Sequence, residues 1–334
     1  MPLWTHALDM SKETNPSQST SDKYPKQLLS SKMSLLGKLI SIAKLISKDQ
    51  IASSALLFLA IICISSLLSP MLFSDANTKM NFDVRLLSPS INKGHILGTD
   101  GLGRDLASRI LVASRNSLTI SLTVVFVSVP IGVSLGLIAG YFGGRIDDVI
   151  MRIVDVFLGF PSLLLALIVI FVLGPSVVNI ILVLAATRWM MYTRVVRAEI
   201  LRLRHLDYVR ASKASGGTDL WIMVKHLLPN LLATLFVLSS LELATVMLSE
   251  SSLSFLGLGI QPPDASLGLL VAQGTGYMFV AWWLMLFPGL TIFLITMSLI
   301  ILSNWLGIFL DPVQRWRITT TDNRNITRQG KPQS

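Results

Sequence analysis

Six stretches of this chain are apolar over most of the roughly 20 residues needed to cross the hydrocarbon core of a bilayer. They run about 51–68, 118–141, 149–173, 177–192, 231–248 and 283–306. Inside lipid a segment must satisfy its own backbone N–H and C=O groups, so spans of this kind are helices. The expected fold class is all-α: a polytopic membrane protein with about six transmembrane helices. Only 14% of the residues are charged, against roughly a quarter in a soluble domain. Gly143-Gly144 and Gly174-Pro175 mark tight turns between the middle spans. Pro161 and Pro288 fall inside the third and sixth spans, where they predict kinks. The single cysteine, Cys63, lies in the first span and reads as a buried thiol with no internal disulfide partner.

Lys and Arg set the orientation. The N-terminal tail carries Lys12, Lys23, Lys26, Lys32, Lys38, Lys44 and Lys48. The loop after the fourth span carries Arg194, Arg197, Arg202, Arg204, Arg210, Lys213 and Lys225, and the C-terminal tail Arg315, Arg317, Arg324, Arg328 and Lys331. Residues 249–282 carry no Lys or Arg, only Glu250 and Asp264. Both termini are therefore expected in the cytoplasm and residues 249–282 outside. The basic loop 73–116 opposes the rule, but long loops escape it. The net charge of +9 is thus a signature of membrane orientation, and no nucleic-acid partner is expected.

The domains follow from composition. Residues 1–32 are polar and rich in Ser, Lys and Pro, the makeup of a disordered cytoplasmic tail. Residues 33–48 place Leu35, Leu36, Leu39, Ile42 and Ile46 on one helical face and Lys38, Ser41, Lys44 and Lys48 on the other. That pattern suits an amphipathic helix on an anionic leaflet, or an extension of the first span. The transmembrane domain occupies 49–312, and 313–334 form a second cytoplasmic tail.

The most unusual segment lies between the fourth and fifth spans. Residues 207–230 read DYVRASKASGGTDLWIMVKHLLPN, polar and basic where a short loop would suffice. Residues 198–215 hold good helix formers and no proline, Gly216-Gly217 is a helix stop, and Thr218 or Asp219 can cap a second helix over 220–228 that ends before Pro229. Two short helices about a glycine turn make a stiff knob able to transmit force.

Chemistry in this chain alone is not expected. There is no phosphate-binding G-x-x-x-x-G-K-[ST] motif, no H-E-x-x-H, no Cys/His cluster and no nucleophile elbow. The chain reads as a non-enzyme that holds no cofactor of its own. Ionisable residues inside spans are candidates for function. Glu242, mid-span in the fifth helix, either faces a pore and meets substrate or makes an interhelical contact. Arg152 and Asp155, three apart, predict a local ion pair, and Arg188 is placed to snorkel from the end of the fourth span. At 97–105, Gly98, Gly101 and Gly103 alternate with Thr99, Asp100, Arg104 and Asp105, which suits either a structural latch or a surface receiving another protein.

Arg210-Ala211-Ser212, then Gly216, then Leu228-Pro229 resembles the EAA loop of bacterial ABC importer permeases, with Arg210 where the family usually has Glu and His226 where it often has Ile. LGTDGLGRDLASRIL at 97–111, the segment 136–167, SLSFLGLGIQPPDASLG at 252–268, LFPGL at 286–290 and LDP at 310–312 are similar to the second permease of dipeptide, oligopeptide and nickel importers, over roughly 86–312. Leu267 stands where Trp is usual. The resemblance implies the type I importer permease fold, a place in a bacterial cytoplasmic (inner) membrane, and half of a translocation pore for peptides or nickel complexes. It implies a homologous second permease, two cytoplasmic ATPases that bind ATP and Mg²⁺, and an outer substrate-binding protein. It also implies that the 198–229 loop couples to an ATPase through Arg210, Ala211, Ser212, Gly216, Asp219, His226, Leu228 and Pro229. A stand-alone secondary transporter is the alternative, although no repeat between the two halves supports it.

Overall fold

A computed structural model describes residues 49–92 and 94–310, apart from 73–78. The expected tails (1–32 and 313–334), the amphipathic segment 33–48 and the end of the LDP motif lie outside the described residues. Ten helices follow in order, with no strand among the described residues: α1 Gln50–Leu72, α2 Leu106–Phe142, α3 Gly144–Leu158, α4 Ser162–Leu173, α5 Val177–Leu203, α6 Asp207–Ala214, α7 Asp219–Ile222, α8 Leu228–Phe255, α9 Leu267–Thr275 and α10 Trp283–Leu310. The all-α class stands.

Four helical rods are long and apolar enough to cross a membrane: α1, α2, the run 219–255, and α10. The third expected span is not one rod. It is α3 and α4, bent by 81° at a short break. The break contains Gly159 and Pro161, and proline both lacks an N–H and pushes the residue before it out of helical backbone. The fourth, α5, has 27 residues and so the length to span, but Arg188, Arg194 and Arg197 make it less apolar than the four rods. The first span does not end at Ser69-Pro70. The carbonyl of Ser66, which loses its helical donor to Pro70, accepts instead from the Ser69 hydroxyl at 2.7 Å, so α1 continues to Leu72.

The centre of the bundle is the pairing of α2 with α5. Gly132, Gly136 and Gly140 recur every four residues and form one stripe along α2. A Cβ at Gly132 would sit 2.4 Å from Tyr192 Cβ, one at Gly136 2.7 Å from Val196 Cβ, and one at Gly140 2.8 Å from Ile200 Cβ. The stripe lets the two backbones approach in the small-xxx-small manner of membrane helices, where packing rather than water drives association. Tyr192, Val196 and Ile200 pass directly into a core that also holds Val209, Ile222 and Leu227. At the other end of α2 a second core gathers Leu106, Ile110, Leu267, Trp283 and Ile295. The outward faces of α1, α4 and α10 leave Ile64, Leu67, Ile168, Phe171 and Phe293 exposed, as lipid-facing helices do. Cys63 is among these exposed positions and is not buried, because the buried face of α1 is taken by Ala52, Ala55, Leu59, Ser66 and Ser69.

Gly136→Val is expected to push α2 away from α5 and to lower stability by about 1–3 kcal/mol, the usual cost of overpacking. Thermal unfolding of the purified chain checks this, with the exposed Leu122→Val on the same helix as the unchanged reference.

Candidate functional site: the helical knob between α5 and α8

The knob is built from the end of α5 to the start of α8. The helix expected over 198–215 is two helices. α5 stops at Leu203, residues 204–206 turn, and α6 restarts at Asp207. The turn is held by Arg204, whose Nη1 donates to Gly140 O at 2.9 Å and thereby caps the C-terminal end of α2. α6 closes with a Schellman turn: Gly217 N donates to Ser212 O at 3.0 Å and Gly216 N to Lys213 O at 3.1 Å. Gly216 takes φ +86°, which only glycine adopts without strain. Thr218 caps α7, its hydroxyl accepting from Trp221 N.

The second knob helix does not stop before Pro229. Residues Met223–Leu227 form a π-helical turn in which Leu228 N–H bonds back to Met223 O. The wider turn lets the helix pass Pro229, which sits in the first turn of α8 where no donor is needed. The run 219–255 is therefore one continuous helical rod of 37 residues, from the knob through the span.

Three contacts fix the knob to the bundle. Val209, Ile222, Met223 and Leu227 are buried against α2 and α5. Tyr141 OH donates to Asp219 Oδ1 at 2.6 Å. Lys213 Nζ stands 3.8 Å from the same carboxylate and 5.7 Å from the centre of the Tyr141 ring. The expected site residues divide accordingly. Asp219 and Leu228 face the bundle, Pro229 lies in the rod, and Arg210, Ala211 and Gly216 are exposed. His226 packs edge-on to Trp221, ring centres 4.7 Å apart, and also meets Tyr208. Together Tyr208, Ala211, Ser212, Gly216, Trp221 and His226 line an open hollow of about 610 Å³. Tyr208 and Trp221 were not among the sequence candidates. Their signal was two aromatic residues in an otherwise polar loop.

Other intraspan charges lie differently from expectation. Asp155 bonds Arg194 Nη2 at 2.5 Å rather than pairing with Arg152. Side chains three apart on α3 are outcompeted by an arginine from the helix packed against them, and Arg197 grips Asp147 of α3 through two bonds of 2.5 and 2.6 Å. Arg188 does not snorkel. It is mostly buried, donates to Ser249 Oγ at 2.6 Å, and its Nη1 stands 3.8 Å from Glu242 Oε2. Glu242 is thus in interhelical contact with Arg188. Glu250, fully buried on the same rod, accepts from Ser254 Oγ at 2.7 Å.

At the opposite end of α2 the 97–105 segment closes on itself. Asp100 Oδ1 accepts from the N–H groups of Leu102 and Arg104 at 2.8 and 2.9 Å, and Oδ2 from Arg104 Nε and Arg109 Nη1 at 2.7 and 2.8 Å. Asp105 caps α2, accepting from Ser108 N at 2.9 Å, and meets His95 at 3.0 Å. Trp283 Nε1 reaches Thr99 O at 3.3 Å.

The described residues thus form a bundle of apolar helices with a polar helical knob seated at one end. Residues 132–315 match the family model described as "Binding-protein-dependent transport system inner membrane component". Over 261 residues the chain is 36% identical to the dipeptide transport system permease protein DppC of Haemophilus influenzae, covering 77% of this chain and 88% of that protein. It is 37% identical over 265 residues to the di/tripeptide transport system permease protein DppC of Pseudomonas aeruginosa, covering 78% and 88%. With DppC of Bacillus subtilis the identity is 35% over 271 residues, covering 81% and 84%. The chain belongs to the family of binding-protein-dependent transport system inner membrane components.

Tyr141→Phe removes the bond to Asp219 and is expected to weaken the seating of the knob by about 1 kcal/mol. Limited trypsin digestion at Arg210 and Lys213 checks this: cleavage should quicken about fivefold if it follows the open population.

Proposed function

We propose that this chain is the permease subunit of an ATP-driven importer of short peptides, forming half of the pore and coupling to a cytoplasmic ATPase through the knob within the 198–229 loop. The observation that carries the reading is mechanical: α7, the π turn and α8 are one rod, so a push on the knob becomes a displacement inside the membrane. The peptide assignment draws on the H. influenzae, P. aeruginosa and B. subtilis relatives, which are dipeptide or di/tripeptide transport system permease proteins. It is preferred to nickel because all three are peptide permeases. A stand-alone transporter fits less well, because membership in a binding-protein-dependent family supports work with partners.

In this reading a homologous permease completes the pore, two ATPases bind ATP and Mg²⁺, and an outer binding protein delivers substrate. Arg210, Ala211, Ser212, Gly216 and His226 meet the ATPase, and Asp219, Leu228 and Pro229 seat the knob. Arg210 and Lys225, exposed and outside the Arg202–Glu199 and Lys213–Asp219 pairs, give the surface a positive character that suits an acidic partner. Both termini and the knob lie in the cytoplasm. The Arg188–Glu242 contact holds α5 to α8 beside the path that substrate takes.

Gly216→Val is the direct test of coupling. A branched residue at positive φ costs about 1–2 kcal/mol, and the site is otherwise open, so the strain falls on the turn alone. In proteoliposomes holding the whole complex, uptake should fall about fivefold or more while ATP hydrolysis continues. Unchanged uptake would refute the coupling role. Topology is tested separately, with Cys63→Ala as background. Gln261→Cys, at an exposed position, should react with an impermeant thiol reagent from outside. Ser215→Cys should react only once the inner face is opened. The reverse pattern would place the knob beyond reach of any cytoplasmic ATPase.

A further inference from the structure

Around its axis α3 presents three sectors. Asp147 and Val154 are buried, and Asp147 is held there by Arg197 of α5. Ile146, Val149, Ile153, Val156 and Phe157 form an exposed apolar sector. Arg145, Asp148, Arg152 and Asp155 form an exposed charged one. At 3.6 residues per turn the three sectors are centred about a third of a turn apart. A helix facing lipid on all its free sides does not carry an open charged stripe. One standing in solvent does not present five large apolar side chains together. A helix lying in a membrane surface requires both.

The level and the tilt of α3 agree with that placement. Ala166 and Ile170 of α4 pack with Ile180, Val183 and Leu184, so α4 covers the start of α5. α4 has 12 residues, roughly 18 Å, which is too short for about 30 Å of hydrocarbon. Across the 81° bend, α3 meets α5 at Arg194 and Arg197. Arg197 lies roughly 30 Å along α5 from Val177, so the contact falls where the hydrocarbon ends on the knob side. From Asp147 to Asp155 α3 advances roughly 12 Å, while their partners on α5 are only roughly 4.5 Å apart along that helix. α3 therefore runs more across α5 than along it.

We propose that α3 is an interfacial helix that docks on the knob-side leaflet of the bilayer, its apolar sector on the acyl chains and Arg145 and Arg152 among the lipid phosphates. The apolar sector continues into the lipid-facing side of α4 through Phe160, Leu164 and Ile168. Guanidinium groups match phosphate in charge and shape, and Asp148, between the two arginines, suits the ammonium of phosphatidylethanolamine. The Arg194–Asp155 and Arg197–Asp147 pairs then tie α5 to an element resting on lipid, just before the chain enters the knob. Nothing in this placement depends on what the protein transports.

The test is the depth of single spin labels on the full-length chain in vesicles of phosphatidylethanolamine and phosphatidylglycerol, with Cys63→Ala as background. Val149→Cys, Ile153→Cys and Val156→Cys sample the apolar sector, and Arg145→Cys, Asp148→Cys and Arg152→Cys the charged one. All six positions are exposed, so the labels leave the packing intact. Relaxation by oxygen, which concentrates in lipid, is compared with relaxation by a water-soluble nickel chelate. The apolar labels should respond to oxygen and share one shallow band, about 5–10 Å below the phosphates. The charged labels should respond to the chelate. A span would instead deepen by roughly 10 Å between Val149 and Val156, and that gradient would overturn the placement. Chelate reaching both sectors, as in a water-filled passage, would overturn it too. So would an apolar sector closed to both reagents, as under a second protein. The measurement needs no ATP or substrate, so its failure leaves the importer reading untouched.

Discussion

The close approach of α2 and α5 is the contact on which the rest of the molecule depends. Apolar side chains gain little from leaving lipid for one another, so membrane helices are held by shape. Gly132, Gly136 and Gly140 supply a groove without side chains, and Tyr192, Val196 and Ile200 fill it. Everything at the knob end is then referred to that pair. Arg204 bonds carbonyls at the end of α2, Tyr141 of α2 bonds Asp219 of α7, and α3 is clamped to α5 by Arg197 on Asp147. If the groove opened, these polar contacts would lose their spacing together. They are positioned by the packing and do not create it.

Stiffness follows from how the chain passes its prolines. Pro229 stands where a rod would be expected to break, and the π turn at Met223–Leu227 carries the helix across it. Pro161 stands in a run without such relief, and there the chain bends by 81°. One proline is bypassed and the other obeyed, and the difference sets the mechanics: the knob joins a continuous lever, whereas α3 and α4 form a corner held to α5 by two charge pairs.

Much of this was legible in the sequence, and the misses share a cause. Long apolar runs fix helices by composition, and a Gly-Gly flanked by helix formers and a Thr cap fixes a turn locally, so the spans and the knob could be read. Arg188, Asp155 and Cys63 could not, because their surroundings come from other helices. Arg188 looked like a residue reaching for water until Ser249 and Glu242 arrived from α8. Asp155 had a partner three residues away on its own helix and bonds instead to one 39 residues on. The glycine stripe was visible at spacing four and passed over, since only a neighbouring helix gives it meaning. Tyr208 and Trp221 show the same limit: the hollow they line with His226 exists only once α6 folds back against α7.

The two ends of α2 differ in how they use charge. At the knob end Asp219 is shared by Tyr141 and Lys213, and the surplus basic residues stand in solvent, where a positive field reaches an approaching partner at the cost of a few tenths of a kcal/mol per contact. At the far end Arg104 and Arg109 are buried against Asp100, whose two oxygens each accept two hydrogen bonds. The same residue type therefore stands in solvent at one end and in a buried hydrogen-bonded network at the other. The α2 helix, 37 residues long, separates the two by roughly 50 Å at 1.5 Å per residue, too far for direct electrostatic influence. Any influence of one end on the other must travel as motion of α2 against its neighbours. The glycine groove, filled by Tyr192, Val196 and Ile200, holds α2 and α5 together as one unit, so such motion passes between this pair and the helices around it.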